Sequence, residues 1–333
     1  MAETRPRRAV TSADVARESG VSRATVSYVL NRKAGQTIPE ETRNRVLEAA
    51  RRLEYVPSAS ARALRSGKTG IVLLAMPNLP QGPVLSAFVH ELAAGLAEGG
   101  LTLVTHLDDR EHSTLLNVVR ALEPVAVISY PQLPADPSEQ IHKAGVHWVT
   151  GINLTLGPAA DDHQWAVLPG RLQAEYLIGQ GHRRLGYGRP EDPTLGPIAD
   201  DRREGIQDSC AAAGLPAPLE LIVPIEPRHA VAAVREWRAA GVTGICCYND
   251  DLALAVLAGA RMSGVRVPAD VAVIGVDDIP LAALASPPLT TVRQRSDEQG
   301  SLLAARLLAL AAGSEPPVAS PDVAMTVVIR ETA

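Results

Sequence analysis

The chain has 333 residues, 46% of them hydrophobic and 21% charged, with a formal net charge of -5 and only 3% aromatic residues. That length excludes a single small reader module and fits a small head plus one or two larger α/β units with a sizeable core. No run approaches the roughly 20 apolar residues of a membrane span and the first residues carry no apolar signal core, so a cytoplasmic protein without a membrane partner is expected.

The charge is unevenly placed. Residues 1–70 hold 14 Lys and Arg against 7 Asp and Glu, while the remainder holds 18 against 30. A basic head on an acidic body puts the footprint for a polyanion such as DNA at the N-terminal end and limits how the body can approach it.

Residues 12–31 have the spacing of a helix-turn-helix. Ala16 is small where two helices nearly touch, Gly20 sits at the turn, and Val15, Val26 and Val29 form an apolar wedge between the helices. Ser22 can cap the second helix. Its outward face then presents Arg23, Ala24, Ser27 and Tyr28, which suits a helix lying in a DNA major groove. A third helix is expected over 39–55, with Val46, Ala49, Ala50 and Leu53 at helical spacing and Glu40 and Glu41 at its N-terminal end. Residues 58–67 make a helix-capable segment too short to be stable alone, one that folds only when something holds it.

From Gly70 the texture changes to short apolar runs over 71–76, 101–105, 125–129, 148–152, 185–188, 221–225, 244–248 and 271–276. Amphipathic stretches alternate with them over 84–98, 113–122, 171–179, 203–213, 230–240 and 252–263. Such alternation predicts buried parallel sheets with helices on both faces, and about eight units suggest two doubly wound subdomains with a cleft at the carboxyl ends of their strands. Cys210, Cys246 and Cys247 lack CxxC spacing and are expected to be buried thiols in a reducing compartment.

Several ordered segments together resemble the lactose-repressor (LacI/GalR) family of transcriptional regulators over essentially the whole chain. They are Asp14-Val-Ala-Arg-Glu-Ser-Gly-Val-Ser with Ala24-Thr-Val-Ser, Leu53-Glu-Tyr-Val-Pro57, Ala61-Arg-Ala-Leu64, Gly181-His-Arg-Arg-Leu185, Tyr248-Asn-Asp250, Val273-Ile-Gly-Val-Asp-Asp278 and Pro288-Leu-Thr-Thr-Val-Arg-Gln294. The resemblance implies an all-α helix-turn-helix head (1–57), a hinge helix and linker (58–68), and an α/β periplasmic-binding-protein-like core (69–333). Within that core it implies a first subdomain of 69–181 and 294–321 and a second of 182–290 and 323–333. It also implies a homodimer whose two-fold symmetry matches a near-palindromic double-stranded DNA operator.

Arg23 is the candidate for base readout, the alternative being a phosphate contact; Ala24 would meet the groove without steric cost. Thr25, Ser27 and Asn31 suit phosphate positioning. Tyr28 departs from the basic residue common there in the best-known members, so their half-site preference does not transfer. The resemblance assigns Leu64 to a minor-groove wedge, against the alternative that it only packs two hinges together. It aligns Arg202, Asn249, Asp277 and Gln294 with residues that bind ligand hydroxyls in sugar-responsive members, although Asp277 would equally serve as a helix cap or in a cross-cleft salt bridge. Leu168 stands where many members have an acidic residue, and Pro83-Val84-Leu85 where they often have Pro-Phe-Phe. Trp148, Trp165, Tyr187, Trp237 and Tyr248 are the few candidate stacking platforms.

Signals for an enzyme are poor. Gly67-Lys68-Thr69 imitates the tail of a phosphate-binding loop, but Arg62 occupies the place of its first glycine. Asp161, Asp162 and His163, like His106, Asp108 and Asp109, lack helical metal-ligand spacing. The sequence therefore predicts a regulator, most simply a repressor, with no cofactor and no metal, responding to a small-molecule and sugar-like effector. A ligand-sensing module without specific DNA readout and an enzyme using the cleft are the alternatives.

Overall fold

A computed structural model describes residues 10–30, 38–55, 69–77, 82–108, 114–130, 133–151, 162–317 and 325–333. The expectations for Asn31, Leu64 and the hinge at 58–68 lie outside these residues. The chain divides into two compact units, residues 1–70 and 71–333.

The first unit contains α1 (Ser12–Ser19), α2 (Arg23–Leu30) and α3 (Glu40–Arg52). The Thr11 N–H donates to Asp14 Oδ2 at 2.9 Å, holding the start of α1. Gly20 ends it at φ +67°, and its N–H returns to the Ala16 carbonyl. This left-handed geometry is cheap for glycine and strained for side chains with a Cβ. Ser22 Oγ accepts from Thr25 N at 3.1 Å and starts α2, as the sequence suggested. Val15, Val26, Val29, Val46 and Ala49 then close a small core common to all three helices.

The second unit begins with β1 (Ile71–Pro77), α4 (Pro83–Glu98), β2 (Thr102–Asp108), α5 (Leu115–Leu122), β3 (Ala126–Ser129), α6 (Ala135–Lys143) and β4 (Trp148–Gly151). These strands form a parallel sheet of order β2-β1-β3-β4. Along β1 alternate side chains serve opposite faces: Val72, Leu74 and Met76 pack with Phe88, Leu92 and Leu96 of α4, while Leu73 and Ala75 pack with Leu115 and Val119 of α5. Both faces are covered, which is why the run reads as continuously apolar.

A six-stranded sheet follows, built from α7 (Asp162–Gly179), β5 (Leu185–Arg189), a 3-10 turn (Pro193–Leu195) and α8 (Gly196–Ala212). The chain continues through β6 (Leu219–Ile222), α9 (Pro227–Ala239), β7 (Gly244–Cys247), α10 (Asp250–Met262), β8 (Ala272–Val276), α11 (Pro280–Leu284), β9 (Thr290–Gln294), α12 (Ser296–Ala312) and β10 (Met325–Val328). The order is β10-β9-β8-β7-β5-β6, parallel except for the antiparallel β9–β10 pair at the edge. Each sheet reverses its direction of winding beside its first strand, so the doubly wound expectation holds, with one antiparallel strand added.

Four expected boundaries are corrected by the packing. Helix α7 belongs with the six-stranded sheet: Gln173 Nε2 donates to the carbonyls of Cys247, Ile274 and Gly275, and the Tyr176 hydroxyl to that of Ala333. The expected boundary at 181 is therefore too late, since the second subdomain already includes α7 from Asp162. Thr290–Gln294 is wholly a strand of this sheet, whereas α12 packs on α4, so the second crossing falls at Arg295 and not at 290. Helix α7 also starts nine residues before the expected 171, running through Pro169, and β6 ends at Ile222 because its register with β5 is set by Gly186↔Leu219 to Arg189↔Ile222.

Helices α7 and α8 cross almost backbone to backbone. A Cβ added at Gly170 would lie 1.9 Å from the Arg202 carbonyl oxygen, and one at Gly205 would lie 2.0 Å from that of Val167. Neither obstacle is a flexible side chain, so the helices themselves would have to separate. Gly170→Ala is expected to lower unfolding free energy by about 1 to 3 kcal/mol, as overpacked cores do. Gly179→Ala, where an added Cβ meets nothing within 4 Å, should leave it nearly unchanged. Urea denaturation of both variants checks the contrast, and equal midpoints would contradict it.

Candidate functional site

Two surfaces carry chemistry. On the head, α2 leaves Arg23 and Ala24 exposed and Thr25, Ser27 and Tyr28 half-buried, while Val26 and Val29 are turned into the core. One helix therefore offers a short side-chain face with a single guanidinium at its N-terminal end. An Arg52–Glu18 ion pair at 2.8 Å ties α3 to α1 behind it.

The second surface is a cavity of about 190 Å³ in the larger unit. Its lining comes from both sheets: Pro83, Val84, Leu85 and Phe88 of α4 on one side, and residues at the carboxyl ends of β7, β8 and β9 on the other. This is where wound α/β sheets leave a crevice, because the helix connections diverge there. Among the sequence-predicted residues, Arg202, Asn249, Asp277 and Gln294 all line it.

Arg202, on α8, is only 5% exposed. Its Nη1 donates to the Tyr248 carbonyl, its Nη2 lies 3.8 Å from Asp277 Oδ1, and its guanidinium sits 4.4 Å from the centre of the Tyr248 ring. A buried cation needs such partners because desolvation otherwise outweighs any packing gain. Its Nε has no partner among the described residues.

Asp277 follows β8 at φ +114°, a strained backbone held by its N–H bond to the Val292 carbonyl at 2.8 Å. Its Oδ1 accepts from Gln294 Nε2 at 2.7 Å. Burial pushes its carboxyl up to about 6 against the opposing pull of Arg202 and Gln294. Asp277 thus pairs with Arg202 of the same subdomain, not across the cleft as weighed, and has a place in the cavity wall. Asn249 caps α10, its Oδ1 accepting from Leu252 N at 3.0 Å, which leaves its amide N–H groups as the donors it can offer a ligand.

The sequence reading missed Asp201, Asp251 and Ser296, which also line the cavity, and Asp250 behind it. The adjacent pairs Asp201-Arg202 and Asn249-Asp250-Asp251 carried that signal. Asp250 is fully buried; Oδ1 accepts from the Thr291 hydroxyl at 2.5 Å and Oδ2 from Ile279 N at 2.9 Å, fixing the loop that carries Asp277. Leu168 faces away from the cavity, into a cluster with Trp165, Val276, Val292 and Met325. Of the candidate aromatics, only Tyr248 lines the cavity; Trp237 donates to the Leu219 carbonyl, Tyr187 to that of Ala199, and Trp148 packs on the first sheet's core.

A small head with an arginine-bearing helix and a ligand-sized crevice between two wound sheets define a helix-turn-helix regulator with a periplasmic-binding-protein-like core. Comparison with known proteins agrees. Residues 11–58 match the bacterial regulatory proteins of the lacI family, and residues 174–333 match the periplasmic binding protein-like domain. The HTH-type transcriptional regulator CelR of Thermobifida fusca is 32% identical, covering 91% of this chain and 92% of its own length. A solved CelR–cellobiose complex shares 29% identity with a TM-score of 0.63, covering 97% of this chain and 100% of that one. The lac repressor dimer bound to operator and the anti-inducer ONPF has the same fold, with a TM-score of 0.76, 23% identity, and coverage of 98% of this chain and 99% of that one. The chain belongs to the lacI family and is a DNA-binding transcriptional regulator. Among the described residues no helix is long and apolar enough to cross a membrane, and no cluster of three or more His, Cys, Asp or Glu could hold a metal.

The buried Asp250 makes a pH prediction. Burial pushes its carboxyl up to about 7, with the Thr291 and Ile279 hydrogen bonds pulling the other way. An unfolded Asp titrates near 3.9, so the native state holds this proton more tightly. The resulting stabilisation is complete below about pH 4 and is lost as pH rises through about 7. The stability of the wild type relative to Asp250→Asn should therefore fall between pH 4 and 8 in urea titrations. A constant difference across that window would return Asp250 to an ordinary carboxylate value.

Proposed function

We propose that the protein is a cytoplasmic homodimeric repressor that binds a near-palindromic operator and is controlled by a small hydroxylated effector in the cavity. The observation that carries this reading is the convergence of Arg202, Asn249, Asp277 and Gln294 from four separate elements on one crevice. Donors and acceptors are mixed there, and a hydroxyl is the group that both donates and accepts. CelR, the relative solved with cellobiose, supports a carbohydrate-like effector. The lac repressor dimer on its operator supports dimeric DNA binding.

On the operator, Arg23 grips a guanine edge, Ala24 lies against the groove floor, Tyr28 faces the groove, and Thr25, Ser27 and Asn31 place the helix along the backbone. Leu64 of the hinge enters the minor groove as an apolar wedge. Within the cavity the effector exchanges hydroxyl contacts with Asp277 and Gln294. A role without catalysis follows from the regulator reading.

Selection of bound fragments from a random duplex pool at about 150 mM salt, where purely electrostatic binding is weakened, tests the DNA half of the reading. A near-palindrome should emerge; the absence of any enriched sequence would favour a ligand-sensing module instead. Arg23→Ala should cost about 1 to 3 kcal/mol at the preferred site and relax choice at one base pair per half-site. A uniform loss over all sequences would make Arg23 a phosphate contact.

Asp277→Asn keeps a residue type tolerant of unusual backbone angles while removing the charge. Operator binding should persist while effector-dependent release is lost, measured by fluorescence anisotropy of labelled operator. Normal release by this variant would remove Asp277 from the effector site.

A further inference from the structure

The cavity wall divides into two chemistries. Arg202, Asp277 and Gln294 are joined by direct contacts at the strand ends of the six-stranded sheet, and Asn249 lies beside them on the cavity wall. The remaining wall also holds Asp201, Asp251 and Ser296, but much of it is aliphatic: Val84 and Leu85 from the first turn of α4, Leu195 from the 3-10 turn, Ile198 from the first turn of α8, Ile225 before α9 and Ile279 before α11. Leu195 and Ile198 pack against the cores of both halves, so this apolar surface runs unbroken across the crevice.

Among the described residues, the α4 side chains that line the cavity offer nothing for a hydroxyl to bond. The first turn of α4 presents Pro83, Val84 and Leu85, and proline has no N–H at the helix start. A ligand hydroxyl turned to those side chains would lose its water without gaining a side-chain partner, which is costly. Stacking is restricted as well, because the Arg202 guanidinium lies over the Tyr248 ring at 4.4 Å and Phe88 is only 3% exposed. At about 190 Å³ the cavity falls below the roughly 300 to 1,000 Å³ of sites for drug-sized ligands, and fits one ring in preference to two.

We propose that the effector is a deoxy sugar: a single ring with hydroxyls along the edge facing Arg202, Asn249, Asp277 and Gln294, and a methyl or deoxygenated edge against Val84, Leu85, Ile198 and Ile225. This rests on the reading of the cavity as the effector site and sharpens it. The pocket selects by penalising the extra hydroxyl of the parent sugar, a discrimination that an apolar wall delivers at up to about a hundredfold. It also separates this chain from its relative CelR, solved with the disaccharide cellobiose.

Titration calorimetry on the full-length protein decides the matter with matched pairs: D-fucose and D-galactose, L-rhamnose and L-mannose, 6-deoxy-D-glucose and D-glucose, with cellobiose as a further probe. At least one deoxy sugar should bind about tenfold or more tightly than its parent. Val84→Thr, close to isosteric but adding a hydroxyl to the wall, should shrink that preference while leaving the fold intact. The proposal is overturned if the parents bind as well as the deoxy sugars, if cellobiose binds best, or if no deoxy sugar binds. Asp277→Asn separates the two levels of the argument. Binding without deoxy preference that this variant abolishes would retain the cavity as effector site and discard the deoxy sugar, whereas binding indifferent to the variant would discard the site itself.

Discussion

The buried guanidinium of Arg202 is the point on which the arrangement of the larger unit depends. A cation taken out of water has to be met by carbonyl, carboxylate and π-electron partners, and Arg202 finds all three in the Tyr248 carbonyl, Asp277 and the Tyr248 ring. Those partners follow β7 and β8, while Arg202 rides on α8, so one side chain sets the distance between a helix and two strand ends. The helix can come close enough only because Gly170 and Gly205 let α7 and α8 cross with their backbones nearly touching. The position of the charge is thus inherited from two residues that have no side chain.

The same region concentrates structure that folding alone would not favour. Asp250 and Asp277 are carboxylates pushed up to about 7 and about 6 by burial, and Asp277 also holds a strained positive φ. Each costs stability near neutral pH, and each is held in place by its neighbours: Asp250 by Thr291 and Ile279, Asp277 by Gln294 and Val292. Perturbed carboxylates and strained backbone gathered at one crevice are what a binding site looks like when its geometry is set before the ligand arrives. By contrast Asp278, at φ +53°, bonds Arg330 and Arg293 and serves to anchor the last strand.

Much of this was legible in the residues. The head follows from local rules, a capping serine, a glycine turn and three valines, and those rules act within residues 15–29. The buried strands of both sheets announce themselves as apolar runs because helices cover both faces. What escaped was set by contacts distant in the chain. Helix α7 carries both apolar and polar residues around its circumference and reads as ambiguous until Gln173 is seen clamping three carbonyls roughly 74 to 102 residues away. The crossing point between the subdomains depends on that packing, so local periodicity could not place it. Leu168 departs from the family pattern without lining the cavity: it fills an apolar cluster, and the cavity's lining on α7 includes Ala166.

The fold also supplies a physical route from the cavity toward the chain that leads to the head. Leu85 and Phe88 stand on the first two turns of α4 and pack in the same core as Val72, Leu74 and Met76 of β1. Strand β1 begins at Ile71, directly after the linker, and lies inside its sheet with β2 on one side and β3 on the other. Close-packed cores transmit displacement because they have little free volume in which to absorb it. A ligand seated against Val84 and Leu85 therefore bears on α4, and through α4 on the strand into which the linker runs. On the other side it bears on Arg202, Asp277 and Gln294, which belong to the opposite sheet. Any ligand that binds both walls favours the spacing of the two subdomains at which both sets of contacts form. The coupling free energy available is limited to the difference in how well the ligand fits the two spacings. That limit explains why the apolar wall matters as much as the polar one. Contacts with Arg202 and its neighbours hold the ligand to one half alone, whereas contacts with Val84 and Leu85 exist only when the halves are at the correct separation.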